Sequence, residues 1–255
     1  MKKLKPIIIT ILSLYFIFGI LLYINQNKFL YHPKTNIKHK YKNIFIKNNK
    51  EKIQIIGINT DKNKAILYFG GNAENVSKST DYIKKQFPNY AIYLMVYRGF
   101  GLSSGKPSEK GIFSDALALY DYVHKQHKNI SIGGRSLGSG IAAYVASKRD
   151  VKKLALITPF NSIENIAQDK YPIYPISILL NDKYNTEDKV KDINAKTLII
   201  TAEKDKLVLK KYSDKLIKKF KELKKDLKII EIKGRGHGDI SSDKKYFKDM
   251  QEFIK

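Results

Sequence analysis

The sequence predicts an α/β fold, a mainly parallel β-sheet flanked by helices and preceded by one N-terminal transmembrane helix. From about Tyr31 onward, short runs of β-branched and aromatic residues alternate with segments of helical periodicity, as in β-α-β units. The run Tyr90–Tyr97 is apolar throughout, as expected for a strand buried on both faces. The third observation is the long apolar run Ile7–Ile24, which precedes this alternation.

The apolar run predicts a membrane anchor. As an α-helix, Ile7–Ile24 would be roughly 27 Å long, close to the thickness of a hydrocarbon core. No small-x-small cleavage site follows it, which favours an uncleaved anchor over a cleaved signal peptide. No polar face interrupts it, which argues against a buried helix of a water-soluble domain. We therefore divide the chain into an anchor, residues 1–28, and an α/β domain, residues 29–255.

Lysines flank the anchor on both sides. Lys2, Lys3 and Lys5 precede it, so the positive-inside rule predicts a cytoplasmic N-terminus and an extracytoplasmic domain. Further lysines follow it on the other side: Lys34, Lys38, Lys40 and Lys42. The sequence therefore leaves the side of the membrane open, and it leaves the oligomeric state open as well.

The elements of the α/β domain follow from hydrophobic periodicity. Strands are predicted at Lys52–Ile58, Ala65–Phe69, Tyr90–Tyr97, Asn129–Gly133, Leu154–Thr158, Thr197–Thr201 and Leu227–Ile232. Helices are predicted from about Ser108, over Leu137–Ser147, between the last two strands, and over Lys244–Ile254. Residues 159–192 interrupt the alternation and contain three prolines. We interpret them as an excursion over the sheet, where a lid or cap would lie.

The composition excludes several classes of function. There is no cysteine, so disulfides, thiolate catalysis and Cys-ligated zinc are excluded. The formal net charge is +24, but most basic residues are lysines spread along the chain. Base readout and bidentate phosphate contacts rely on arginine. We therefore predict no nucleic-acid partner and interpret the charge as attraction to anionic lipid headgroups beside the anchor.

A Gly-x-Ser-x-Gly sequence, residues 134–138, lies between a predicted strand and a predicted helix. The chain must turn sharply at Ser136, so the residues two positions away need to lack side chains. Such a turn presents the serine hydroxyl at a helix N-terminus, where the helix dipole and the Leu137 amide favour developing negative charge. The sequence therefore predicts Ser136 as a nucleophile.

Two other glycine clusters and one histidine pair are excluded as cofactor or metal sites. Gly101–Pro107 resembles a phosphate loop, but it is one residue short and has Pro107 in place of the metal-binding Ser/Thr. Residues 99–101 lack the third glycine of a dinucleotide fingerprint. His124 and His127, at a predicted helix end, have no third ligand nearby and are assigned to the helix dipole or solvent. We predict neither a cofactor nor a metal.

An attacking serine needs a base near neutral pH, which indicates histidine. His237 follows the last predicted strand, and a loop at the carboxyl edge of a parallel sheet can reach Ser136. Asp205 follows the preceding strand and is the predicted orienting carboxylate, with Glu203 as the alternative. Asp239 is interpreted as a turn residue, because it is only two positions from the base.

A tetrahedral intermediate also needs a second amide donor opposite Leu137. Gly70 and Gly71 follow a predicted strand and let the backbone approach the site closely. We predict the Asn72 backbone amide as this donor, with the Ala73 amide as the alternative.

These segments resemble the α/β-hydrolase superfamily over nearly all of the chain after the anchor. The chain order of Ser136, Asp205 and His237, nucleophile then acid then base, is the order of that superfamily. The chain is most similar to membrane-anchored abhydrolase-domain serine hydrolases related to protein depalmitoylases. Residues 97–109, Tyr-Arg-Gly-Phe-Gly-Leu-Ser-Ser-Gly-Lys-Pro-Ser-Glu, are similar to that group's Tyr-Arg-Gly-Tyr-Gly-x-Ser-x-Gly-x-Pro-x-Glu stretch.

Residues 70–75, Gly-Gly-Asn-Ala-Glu-Asn, resemble the group's oxyanion loop, His-Gly-Asn-Ala-Gly-Asn. The resemblance implies the same triad and the same Asn72/Leu137 oxyanion hole. Gly70 and Glu74 depart from the pattern, since the group has His at the first position and often Gly at the second.

The expected function is a serine hydrolase that cleaves carboxylic ester or thioester bonds through an acyl-enzyme. The anchor suggests lipid-like or acylated substrates, and the membrane is an expected partner. The resembling group includes carboxylesterases, acylglycerol lipases, thioesterases and peptidases, so the likeness does not determine the substrate. A peptidase of the same fold and a non-catalytic, membrane-tethered binding protein are the alternatives.

Overall fold

The computed structural model describes residues 4–255. The strands are β1 (Lys42–Asn48), β2 (Glu51–Ile58), β3 (Lys64–Phe69), β4 (Ala91–Met95), β5 (Asn129–Arg135), β6 (Lys153–Ile157), β7 (Lys196–Ala202) and β8 (Leu227–Ile232). The α-helices are α1 (Leu4–Leu30), α2 (Thr80–Gln86), α3 (Glu109–His124), α4 (Leu137–Lys148), α5 (Ile163–Lys170), α6 (Ile176–Leu179), α7 (Lys210–Glu222) and α8 (Lys244–Ile254).

An eight-stranded sheet runs through the domain in the order β1-β2-β4-β3-β5-β6-β7-β8. The strands from β4 to β8 in this order are parallel, whereas β2 is antiparallel to both β1 and β4. The predicted α/β class with a mainly parallel sheet and flanking helices is confirmed. Because parallel strands end at the same edge, the loops after β3, β5, β7 and β8 meet there.

Burial explains which strands the sequence predicts and which it does not. All five residues of β4 are buried, as its apolar sequence predicts. The sequence does not predict β1, an edge strand with no fully buried residue. Its Ile44 and Ile46 pack against the core, but polar residues lie between them and charged side chains are typical of edges.

The segment after β4, residues 97–109, is a turn fastened by polar contacts. Arg98 donates from two nitrogens to the fully buried carboxylate of Asp115, at 2.7 Å each. The Ser103 hydroxyl donates to the Val96 carbonyl and accepts from the Gln54 amide. These bonds fasten the end of β4 to α3 and β2. Arg98 therefore has a structural partner in Asp115.

The N-terminal helix α1 is long and apolar enough to cross a membrane, and none of its described residues is buried in the protein. It continues beyond the predicted apolar run to Leu30. The next residue, Tyr31, is buried and hydrogen-bonded to Asp182 and Tyr184 at 2.8 Å each. Burial, followed by the charge of these neighbours, raises the pKa of Tyr31, so its hydroxyl remains protonated. This junction joins α1 directly to the domain.

Residues 159–192, which the sequence predicts as an excursion, contain α5 and α6 and lie between β6 and β7. The sequence does not predict these two helices, because α5 and α6 are short and are separated by a segment that contains Pro172 and Pro175. Both helices lie beside α1 and beside the carboxyl edge of the sheet.

Candidate active site

Ser136 lies between β5 and α4 with φ 52° and ψ −120°, a conformation that a residue with a side chain rarely adopts. Its backbone is held on both sides. The Ser136 amide donates to the Ile157 carbonyl, and the Ser136 carbonyl accepts from the amide and hydroxyl of Ser139. The strain is therefore maintained by the neighbouring strand and by the first turn of α4.

The two glycines of the motif are needed for close packing. A Cβ at Gly134 would lie 2.2 Å from the Gly138 carbonyl oxygen, and a Cβ at Gly138 would lie 2.0 Å from the Phe69 carbonyl oxygen. Both distances are far shorter than any van der Waals contact. Because these two glycines lack side chains, α4 can begin directly against the end of β3, beside the loop that carries Asn72.

His237 and Asp205 are brought together by the loops after β8 and β7. His237 Nδ1 lies 2.7 Å from Asp205 Oδ2, and only 5% of the Asp205 side chain is exposed. The other carboxylate oxygen accepts the amides of Leu207 and Val208 at 2.9 and 2.8 Å. Because the carboxylate accepts, Nδ1 carries the proton, and Nε2 is left with its lone pair.

The alternative carboxylates have other partners. Glu203 accepts the Gly234 amide at 2.7 Å and pairs with Lys233. Asp239 accepts the Gly236 amide at 2.8 Å within its own loop. Glu203 and Asp239 therefore shape the loop that carries His237, and the imidazole contacts Asp205.

The glycine loop after β3 lies against the serine. A Cβ at Gly71 would be 3.6 Å from Ser136 Cβ. Within residues 4–255, the backbone amides of Asn72, Ala73 and Leu137 donate no intramolecular hydrogen bond. The Asn72 side chain donates to the Leu30 carbonyl at the end of α1, which ties this loop to that helix.

Glu74 organises the same loop. Its carboxylate accepts the Gly71 amide at 3.0 Å and the Tyr68 hydroxyl at 3.1 Å. Burial, reinforced by the Glu74 charge, holds the pKa of Tyr68 well above its ordinary value, so this hydroxyl remains a donor. A Cβ at Gly70 would lie 2.8 Å from Val76 and 3.3 Å from Glu74. The two departures from the family pattern are thus coupled, since Glu74 and Val76 occupy the space that a side chain at Gly70 would need.

Arg135 joins the two loops that flank the serine. It donates to the His237 carbonyl at 2.7 Å and lies 3.9 Å from the Glu74 carboxylate. Sequence reasoning did not identify either Arg135 or Glu74 as part of this site. Arg135 occupies a variable position of the motif, and Glu74 appears in sequence only as a departure.

Ser136, Leu137, Asn72 and His237 all line one cavity of about 680 Å³. This volume is within the range of small-molecule sites. Within the described residues, no hydrogen bond joins the Ser136 hydroxyl to His237. Catalytic hydrogen bonds are commonly formed only in the complex with substrate.

Outside the site, His127 is buried and bonded to the Tyr93 hydroxyl at 2.8 Å, which corrects its assignment to the dipole or solvent.

The chain was compared with known proteins. It is 29% identical over 180 residues to protein Rv2307c of Mycobacterium tuberculosis, covering 69% of this chain and 63% of that protein. It is 28% identical over 180 residues to human protein ABHD12B, covering 61% and 49%. It is 28% identical over 209 residues to the Saccharomyces cerevisiae membrane protein YNL320W, covering 77% and 72%. The chain spans less than two thirds of the length of the first of these relatives.

Among solved structures, the chain is similar to the Pyrococcus furiosus esterase Pf2001, with a TM-score of 0.72 and 15% identity. The alignment covers 88% of this chain and 98% of the esterase, and at this identity it shows the fold. The sequence model of the dienelactone hydrolase family matches residues 82–252. The chain therefore belongs to the dienelactone hydrolase family, within the α/β-hydrolase superfamily.

Proposed function

We propose that this hydrolase is a serine esterase or thioesterase in which Ser136, His237 and Asp205 form the catalytic triad. The observation that carries the proposal is the 2.7 Å contact between His237 Nδ1 and the buried Asp205 carboxylate, at a cavity that Ser136 also lines. An imidazole oriented in this way has its basic nitrogen available to a nearby hydroxyl. The strained backbone at Ser136 supports the same role.

The proposed reaction has two halves. Ser136 Oγ attacks the carbonyl carbon of an ester or thioester, while His237 Nε2 takes the hydroxyl proton. The intermediate collapses to an acyl-enzyme, and the protonated imidazole gives its proton to the leaving alcohol or thiol. Water then attacks the acyl-enzyme with His237 as base, releasing a carboxylic acid and regenerating the free serine.

We assign the binding of the oxyanion to the backbone amides of Leu137 and Asn72. Both amides are without an intramolecular partner in the described chain, and both lie at the cavity. Leu137 is also the first residue of α4, where the helix dipole favours negative charge. The nearby Glu74 charge would oppose an oxyanion, but Arg135 at 3.9 Å offsets it.

We further propose that α1 anchors the domain to a membrane, which would place the cavity beside the lipid. Lys2, Lys3 and Lys5 favour a cytoplasmic N-terminus and an extracytoplasmic domain. A lipid-like or acylated substrate fits this location better than a peptide does.

Labelling by a fluorophosphonate probe tests the proposed function. The full-length protein in nanodiscs should react covalently with the probe at Ser136 and should hydrolyse short p-nitrophenyl esters. The labelled peptide is identified by mass spectrometry. A folded protein that neither reacts nor hydrolyses these esters would contradict the proposal and favour the binding-protein alternative.

Glu74 is expected to act as a positioning residue for the oxyanion loop. Glu74→Ala leaves the Gly71 amide and the Tyr68 hydroxyl without this acceptor and removes the negative charge beside Arg135. We expect kcat to fall by about 10²-fold with little change in KM, the scale expected when a catalytic group is misplaced. Glu74→Gln, which can still accept from Gly71 and donate to Tyr68, should lose less than about tenfold. Equal kcat values for the two variants would exclude this role.

A further inference from the structure

The cavity at Ser136 extends to the membrane helix. Besides the site residues, its walls are formed by Leu22 and Phe29 of α1 and by Ile166, Ile176 and Leu179 of the excursion. These side chains are apolar, as expected for a pocket that binds hydrocarbon. The helix α1 therefore forms part of the cavity wall.

The excursion is fastened to α1 within the apolar run of that helix. The Tyr15 and Tyr174 rings stack at 4.6 Å with their planes 5° apart. The Tyr15 hydroxyl donates to the Ile173 carbonyl, and the Tyr174 hydroxyl donates to the Tyr15 carbonyl, each at 2.9 Å. Tyr15 is nine residues before Ile24, the end of the apolar run, which corresponds to roughly 14 Å along the helix. Residues 173–174 therefore lie at the depth of the apolar run.

The backbone at this depth meets the requirement that a hydrocarbon environment imposes. Non-helical carbonyls inside a bilayer need an internal donor. The Tyr15 hydroxyl supplies one to Ile173, and the Gln168 side chain supplies others to Pro172 and Tyr174, at 3.3 and 3.1 Å. Ile173 and Ile178 are 69% and 79% exposed, and the exposed large apolar residues of the neighbouring α1 are 48–69% exposed. Both elements therefore present apolar side chains to their surroundings.

We propose that residues 171–179 are immersed in the lipid beside α1, and that α1 and this segment form the acyl-binding site of the enzyme. A long-chain ester resident in the membrane would place its acyl chain between Leu22 and Leu179, and its carbonyl would reach Ser136 through the cavity. The substrate class is therefore a lipid ester with a long acyl chain. This inference rests on the proposed esterase function and assigns the source and length of the acyl group.

Filling the cavity from the α1 side tests the acyl site. Leu22→Trp should lower kcat/KM for p-nitrophenyl palmitate by about 10- to 100-fold in nanodiscs and leave p-nitrophenyl butyrate within about twofold. Ile24→Trp is the matched control, because Ile24 is 69% exposed on the same helix and does not line the cavity. Leu179→Trp repeats the test from the opposite wall if the first variant fails to fold.

The outcomes separate the two proposals. Equal losses with both esters, or no loss with either, would overturn the acyl site and leave the esterase function standing. A wild-type protein that does not react with fluorophosphonate would refute the esterase function itself. Selective loss of palmitate turnover in Leu22→Trp or Leu179→Trp, with the control unaffected, supports the inference.

The immersion of the segment is tested separately, with a chain that has no cysteine of its own. A fluorophore is attached to the cysteine of the Ile178→Cys variant. The protein is then placed in phosphatidylcholine vesicles whose brominated acyl chains quench fluorophores that lie within the hydrocarbon. We expect strong quenching at this position and none at Lys218→Cys, whose side chain is 78% exposed on α7. Equal fluorescence in brominated and ordinary vesicles at position 178 would contradict the immersion.

Discussion

Ser136→Ala is expected to abolish fluorophosphonate labelling and to lower ester turnover by about 10⁶-fold, the scale of losses in triad serine enzymes. The remaining rate would come from the oxyanion amides and substrate binding alone. No intramolecular hydrogen bond of the described chain involves the Ser136 hydroxyl, so its removal should leave the fold intact. Turnover of p-nitrophenyl butyrate and circular dichroism measure the two effects.

A second variant at the same position checks the backbone strain. Ser136→Gly also lacks the nucleophile, but glycine tolerates φ 52°. Relief of strain is opposed by the greater entropy of glycine in the unfolded chain, and a net gain of about 1 kcal/mol over Ser136→Ala remains. Thermal unfolding should therefore be about 2–4 °C higher in the glycine variant. A lower melting temperature would show that the turn is not strained.

His237→Ala distinguishes the esterase from the binding-protein alternative. In the proposed mechanism this variant loses nearly as much turnover as Ser136→Ala, because the serine has no base. A binding protein would have no ester turnover for this variant to lose, and turnover of p-nitrophenyl butyrate before and after the change measures the difference.

Asp205→Asn is expected to lower kcat by about 10⁴-fold, because an amide in place of the carboxylate favours the wrong imidazole tautomer. The asparagine oxygen can still accept the Leu207 and Val208 amides, so the loop should keep its shape. Asp205→Ala would lose these bonds too, and its effect on kcat would be mixed with a loss of stability. Steady-state kinetics with p-nitrophenyl butyrate measure the effect.

Glu203→Gln is the matched control for Asp205→Asn. Glu203 lies two residues away on the same loop and bonds to Gly234, so the variant should retain kcat within about twofold. The combined Ser136→Ala/Asp205→Asn variant should be no slower than Ser136→Ala alone, because the triad acts as a unit. A larger loss for Glu203→Gln than for Asp205→Asn would assign the carboxylate role to Glu203.

The sequence predicts those parts of the molecule that depend on local chemistry. Two glycines around Ser136 predict a tight turn, and the structure gives the reason in the contacts that a Cβ would make. Buried strands such as β4 are predicted well, because a continuous apolar run is typical of a strand that is buried on both faces. The edge strand β1 is not predicted, since half of its side chains face solvent and its pattern resembles a loop.

The parts that depend on long-range contacts are not predicted. In sequence, Gly70 and Glu74 are only two departures from a family pattern, whereas the structure shows that they share one space. Arg135 contacts the His237 carbonyl, which is about a hundred residues away in the sequence. The participation of α1 in the cavity likewise requires the stacking of Tyr15 on Tyr174, which no periodicity reveals.

The junction at Tyr31 has a mechanical consequence. Because this buried residue follows α1 immediately and is bonded to Asp182 and Tyr184, the helix is joined to the domain without an intervening linker. In the proposed membrane-anchored arrangement, the domain would then diffuse in two dimensions at a constant height and tilt. Its reactive groups would stay at one fixed distance from the bilayer surface. It would therefore act on esters whose carbonyls lie at that level.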